Sequence, residues 1–250
     1  MKSTLYLSSF ALLFSSASAL ASDDATSTEQ GQFSGGAKLG FLYSNASTTS
    51  TSLNTGGWLK YEKVKWTHDF SGSSYYTKTS DSDEDGTNKY ELGYKLSYQV
   101  ADKYKAFVDN RYEHDQFETY RDVYSVTAGI ERALVNTDTT KVNIGGGPGY
   151  RYSKRQPSDV DHPSQVNEDI IANGFLNAKT KVTDTLSIGG DAEVDYGESN
   201  TTYTLGANLK NILVGDVALV FDAEYVYNTD VASDKSNDEI YTTVSISYDF

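Results

Sequence analysis

The chain has 250 residues, no cysteine, and 21 Lys+Arg against 35 Asp+Glu, a formal net charge of −14. That balance excludes a chain seeking nucleic acid, and the missing cysteines exclude a small disulfide-stapled fold. No stretch after Ala21 is apolar enough to cross a bilayer as a helix, yet a barrel stays open, because a barrel hides its apolar band in every second residue.

Met1-Lys2 supplies a short basic start, "LYLSSFALLFSSASA" an apolar, Ser-rich run, and Ala19-Leu20-Ala21 a small-residue cleavage pattern. This predicts an N-terminal signal peptide over residues 1–21. A membrane anchor is the weaker reading, because the run falls short of the ~20 residues a spanning helix needs. The expected organisation is the signal peptide, a short periplasmic segment over 22–31, and a barrel over 32–250. Cleavage takes one lysine and no acid, moving the formal charge to −15.

Beyond residue 31 the dominant signal has period 2. Alternating runs cover 33–45, 52–62 and 65–78, and then sharpen in "YELGYKLSYQV", which sets Tyr90, Leu92, Tyr94, Leu96, Tyr98 and Val100 on one face. Glu91, Gly93, Lys95, Ser97 and Gln99 take the other. Further runs cover 103–113, 122–134, 141–153 and 168–182. In "TLSIGGDAEVDYG", Leu186, Ile188, Ala192, Val194 and Tyr196 face away from Ser187, Asp191, Glu193 and Asp195. After 201–212, "DVALVFDAEYVYN" keeps Asp216, Asp222, Glu224 and Asn228 on one parity. The last run, "DEIYTTVSISYDF", alternates Ile240, Thr242, Val244, Ile246, Tyr248 and Phe250 against Tyr241, Thr243, Ser245, Ser247 and Asp249. A helix would scatter the charges around the apolar face, so these are strands, about twelve of them.

Short connections ("KV", "ADK", "TD", "VGD") alternate with longer polar ones such as "SDSDEDGTN" and "YSKRQPSDVDHPSQVNE". That pattern predicts an all-β, single antiparallel up-and-down transmembrane barrel, with short periplasmic turns and longer outer loops. Tyr90, Tyr98, Tyr112, Tyr150, Tyr152, Tyr196, Tyr203, Tyr225, Tyr227 and Tyr248 cluster near strand ends on the apolar parity, as interfacial girdles would. The last strand is expected to close on "FSGGAKLGFLY", leaving no unpaired edge in lipid.

Two segments carry a family likeness: "GGAKLGFLYSNASTTSTSLN", and "YKAFVDNRYEHDQFETYRDVYSVTAGIERAL" followed by "VNIGGGPGYRY". With Asp115, Phe117 and Gly147-Pro148-Gly149-Tyr150, they resemble the YdiY-like family of salt-induced outer-membrane proteins, which carry a domain of unknown function. The resemblance implies an outer-membrane β-barrel of a Gram-negative bacterium and brings no active site with it. The ending at Tyr248 and Phe250 also resembles the signal read by the barrel assembly machinery.

Candidate chemistry is sparse. Two of the three histidines precede an aspartate, His68-Asp69 and His114-Asp115. Strand neighbours point to opposite faces, so His68 and Asp69 cannot form a dyad. His114-Asp115 falls where an outer loop begins, and a polar loop tip is favoured over an acid–base pair. Asp81, Asp83 and Asp85 followed by Gly86 match the start of a calcium loop, but the position due a bidentate Glu is Leu92; a solvated acidic loop is favoured over a divalent-metal site. Gly145, Gly146, Gly147 and Gly149 permit a bend or a close approach inside the lumen, with barrel curvature favoured.

The parity rule sends Lys38, Lys95, Asp109, Arg111, Glu131, Arg151, Lys179, Lys181, Asp191, Glu193, Asp195, Asp222 and Glu224 into the lumen. Mixed charges either pair and plug the interior or line a narrow path. The expectation is a monomeric outer-membrane barrel in contact with lipid, with no nucleic acid, no cofactor and no assignable catalysis. Its role would be structural, in envelope stress, or that of a narrow, porin-like, weakly cation-favouring pore. The alternatives are a lipase- or protease-type enzyme with its site at the outer loops, and a secreted soluble ligand-binding barrel.

Overall fold

The computed structural model describes residues 31–45, 49–79 and 86–250. The expectations for the signal peptide and for Asp81, Asp83 and Asp85 lie outside these described residues.

Twelve strands follow one another: β1 Gln32–Asn45, β2 Thr49–Lys63, β3 Trp66–Thr79, β4 Gly86–Ala101, β5 Tyr104–Asp115 and β6 Tyr120–Asn136. Then come β7 Thr140–Arg155, β8 Val166–Lys181, β9 Leu186–Tyr196, β10 Thr202–Val214, β11 Val217–Asn228 and β12 Asp238–Asp249. Each pairs antiparallel with its sequence neighbours, and β12 returns to β1, so the sheet is a closed up-and-down barrel. The closing seam is short, Gly36–Leu39 against Ile246–Asp249, extended by reciprocal backbone hydrogen bonds between Gly35 and Phe250. Closure leaves the sheet without a free edge, which is the only way strands can satisfy their backbone groups in hydrocarbon. Strands of 11 to 17 residues exceed the ~9–11 that a tilted strand needs to cross a bilayer core.

The period-2 pattern becomes an inside-out molecule. Leu39, Phe41, Leu92, Ile130, Ile188, Leu205, Val244 and Ile246 stand exposed on the outer wall. In water, so wide an apolar surface would drive association. Aromatic rings mark both ends of this band. Phe33 stacks on Tyr61 and Trp66 on Tyr98 at the turn end, while Tyr76, Tyr90, Tyr196 and Tyr203 stand exposed towards the loop end.

The strands run further than the alternation suggests. Expected loop residues such as His114, Lys154 and Arg155 continue the ladder, because backbone pairing persists after side-chain alternation lapses. The glycines of β7 prove to be a matter of close approach. A Cβ on Gly145 would stand 2.5 Å from the Phe175 ring, and one on Gly147 2.1 Å from the Ala128 carbonyl oxygen. Their missing side chains let β6 and β7 lie close and let Phe107, Phe175 and Ile171 fill that side of the interior.

Candidate functional site

One cavity of about 890 Å³ follows the barrel axis. Its walls reach from Lys210 and Asp249 near the turns to Glu118, Thr119 and Val231 in the loops. The predicted interior residues Lys38, Lys95, Asp109, Arg111, Arg151, Lys179, Asp191, Glu193, Asp195, Asp222 and Glu224 all line it. Glu131 sits behind Lys95, and Lys181 is exposed at the turn end of β8. Among the described residues, the lining holds twelve carboxylates against seven cationic side chains. Among the described residues, no three His, Asp or Glu side chains are spaced to hold a metal ion.

Most cations are committed to acids. Lys38 binds Asp222 at 2.8 Å, and Lys95 binds Glu131 at 2.8 Å while its ammonium lies 4.6 Å from the centroids of both Phe107 and Phe175. Arg111 reaches Asp109 at 3.1 Å and, across the lumen, Glu193 at 2.7 Å. Asn173 donates to Glu193 and Asp195. Lys89 is buried between Glu91 at 3.1 Å and Glu113 at 3.4 Å, beneath the Tyr241 ring. Among the described residues, Asp191 and Glu224 have no ion pair. The cations therefore cross-link the wall, while the surplus of negative charge faces the cavity.

The parity argument reaches Lys89, Glu113, Glu239, Tyr241, Lys210 and Asp249 as well, because each shares the phase of its strand's interior residues; all but Lys89, one residue ahead of its window, lie inside an alternating run. Phe107, Phe175 and Trp58 also point inward, and no parity rule finds an apolar side chain on the polar face.

At the loop end, the outer connections interlock across the mouth. Arg155, almost fully buried, binds Asp159 at 2.6 Å and Asp230 at 2.6 Å, and the Tyr120 hydroxyl donates to the same Asp230 carboxylate. Gln156 donates to the Asp115 carbonyl, the Ala232 amide to Thr119, and the Ser233 amide to Asp161. Arg151 binds Asp169 at 3.0 Å and the Asn200 carbonyl, tying β7 and β8 to the loop after β9. Burial would raise the Asp159 carboxyl, but Arg155 and the amides of His162 and Asp161 outweigh it and hold the group below its usual range. Hydrogen bonds from Ser233 likewise lower Asp161. Glu118 goes the other way: burial, reinforced by Asp115, pushes it up.

The sequence pair His114-Asp115 separates. Asp115 points inward, buried, and caps its loop by accepting from the Phe117 and Glu118 amides. His114 lies on the outer face, its Nδ1 2.8 Å from Asp122 of β6, which also accepts from Tyr112 and Arg121. Tyr90 stacks on the His114 ring at 4.8 Å. This cluster sits at the outer rim among girdle tyrosines, apart from the lumen. His68 is also on the outer face, 3.0 Å from the Tyr94 hydroxyl, while Asp69 faces inward beside Lys60.

A closed antiparallel barrel with an apolar exterior and a charged axial cavity defines a porin-like β-barrel protein. The chain belongs to the family described as "Protein of unknown function, DUF481", whose profile matches residues 37–250. It is similar to the uncharacterized protein YdiY of Escherichia coli (strain K12), 26% identical over 172 residues, 67% of this chain and 66% of that protein. The match thus spans just under two thirds of that relative's length, and it bears out the likeness read from the sequence. Among solved structures the chain is similar to a NanC porin, with a TM-score of 0.51 and 10% identity over 87% of this chain and 99% of that one. At that identity the likeness is one of fold.

Proposed function

We propose that the protein spans the outer membrane as a monomeric barrel and provides a narrow aqueous path that weakly favours cations. The observation that carries this reading is the axial cavity, in which, among the described residues, twelve carboxylates face seven cationic side chains. A lumen with surplus fixed negative charge concentrates small cations and repels anions. The apolar outer belt supports lipid as the surroundings and argues against the soluble ligand-binding alternative. In the same reading Tyr248 and Phe250, exposed at the turn end of the closing seam, are what the assembly machinery recognises, after export on the N-terminal signal. The His114–Asp122 pair lies outside the path and takes no part in it.

The test is planar-bilayer recording of the refolded mature chain under a potassium chloride gradient. Steady steps whose reversal potential has the sign of cation preference are expected. A silent barrel would replace the pore with a plugged, structural role, and an anion-signed reversal would overturn the charge argument.

A further inference from the structure

The fixed charges of the lumen are sorted along the axis. Towards the turns, Lys141 of β7 stands directly across from Lys179 of β8, and Lys181 and Lys210 flank Ser187 of β9 from either side. Among the described residues, Lys210 alone of these four has an acid partner, Asp249. Directly opposed like charges weaken a strand pair, so local stability does not account for Lys141 facing Lys179. Towards the loops the balance reverses. Lys89 is shared by Glu91 and Glu113, and Arg111 by Asp109 and Glu193. Asp191 and Glu224 have no ion pair among the described residues, and both line the cavity. On β9 alone, four residues separate the Ser187 level of the lysines from Asp191, about 13 Å along the strand. That exceeds the screening length of about 10 Å at 0.1 M salt, so the two zones act as separate fixed charges.

We propose that this arrangement makes the lumen a bipolar, rectifying path for small inorganic ions, with the acidic belt at the loop end and the lysine group at the turn end in series. The inference rests on the pore reading above and adds a direction to it. When the loop side is positive, cations are driven in through the acidic belt and anions through the lysine group. Each species enters by the zone that attracts it, both accumulate between the zones, and the conductance rises. With the loop side negative, each ion must enter through the zone that repels it, the middle is depleted, and the current falls. Lys179 and Lys181 are the turn-end determinants, and Asp191 and Glu224, near mid-strand, mark the inner edge of the acidic belt.

The experiment records single channels of the mature chain at equal and opposite voltages. The natural chain has no cysteine, so an Asp234→Cys variant treated with a membrane-impermeant thiol reagent from one chamber identifies the loop side. In about 0.1 M salt the current should be roughly twofold larger with the loop side positive, and the asymmetry should fade near 1 M, where screening shortens to about 3 Å. Lys179→Gln combined with Lys181→Gln should bring the two currents close to equality. Lys65→Gln, in the β2–β3 turn beside the outward Tyr98 ring, removes the same kind of charge outside the lumen and should leave the asymmetry in place. A steady but symmetric current, a larger current with the loop side negative, or an equal effect of Lys65→Gln overturns the rectifier and leaves the pore standing. No current at either polarity overturns the pore and the rectifier with it.

Discussion

Two four-strand arcs of the barrel wall use the same strand geometry for different ends. Across β5–β8 the interior is packed: Phe107 and Phe175 meet edge to face at 5.6 Å, Ile171 is buried beside them, and the β7 glycines make room. Across β9–β12 the inward positions are Asp191, Glu193, Asp222 and Glu224 among small residues such as Gly206, Ala218, Ser245 and Ser247, and there the cavity remains. In lipid the outer face gains nothing from burial against the molecule's own core, so rigidity must come from the backbone ladder and from whatever fills the lumen. One arc supplies that filling and leaves the other free to hold surplus charge in contact with water.

The contrast breaks most severely at Gly147. Its added Cβ would meet backbone, the Ala128 oxygen at 2.1 Å and the Gly129 Cα at 2.7 Å, and backbone cannot rotate aside. Gly147→Val should cost more than about 4 kcal/mol and abolish the heat-modifiable folded band on electrophoresis. Gly189→Ala, facing the lumen from β9 of the open arc, meets only the end of the Asn208 side chain, at 2.7 Å, which can swing into the cavity, and should shift stability by less than about 1 kcal/mol. Equal tolerance at the two sites would erase the distinction between the arcs.

Next in size is the loop knot that joins them. Arg155→Ala strands the buried Asp159 carboxylate and frees Asp230, at a local cost of about 3 kcal/mol. Residues 156–165 and 229–237 should become cleavable by protease while the barrel stays intact. Acid sharpens the test. A carboxylate held below its usual range stabilises the native loops above its unfolded value of about 3.9 and loses that contribution as pH falls through its folded value. Loop protection in the wild type should therefore persist at about pH 5 and decline below about pH 4, whereas Arg155→Ala should lack that decline.

How much of this the sequence discloses depends on the physical origin of each feature. Hydrocarbon on one side and water on the other impose period 2 on every strand, so the twelve strands, their order and the inward set from Lys38 to Glu224 are legible without coordinates. Partners across the lumen are not. Arg111 and Glu193 lie 82 positions apart on β5 and β9, and only barrel curvature brings them to 2.7 Å. Phe107 and Phe175 look like lapses in the polar parity until the glycines on the facing strand are recognised as space for them. The neighbours His114 and Asp115 adjoin in sequence but do not share a face, and His114 finds its acid one strand away in its register partner, Asp122.

The smallest effect on stability, and the one that separates conduction from packing, is expected at Glu224. Its carboxylate faces the cavity without an ion pair among the described residues, so Glu224→Gln keeps the shape, removes one negative charge and leaves no cation stranded. Unfolding should move by less than about 0.5 kcal/mol, as for substitutions that break no network. The reversal potential in a salt gradient should nonetheless move towards zero, because one of the charges that concentrates cations is gone. Phe107→Ala should invert that result, costing about 3 kcal/mol through the cavity it leaves while sparing the sign of selectivity. If Glu224→Gln destabilised the barrel as much as Phe107→Ala did, the open arc would be holding the structure up as well, and the division between a packed wall and a conducting wall would fail.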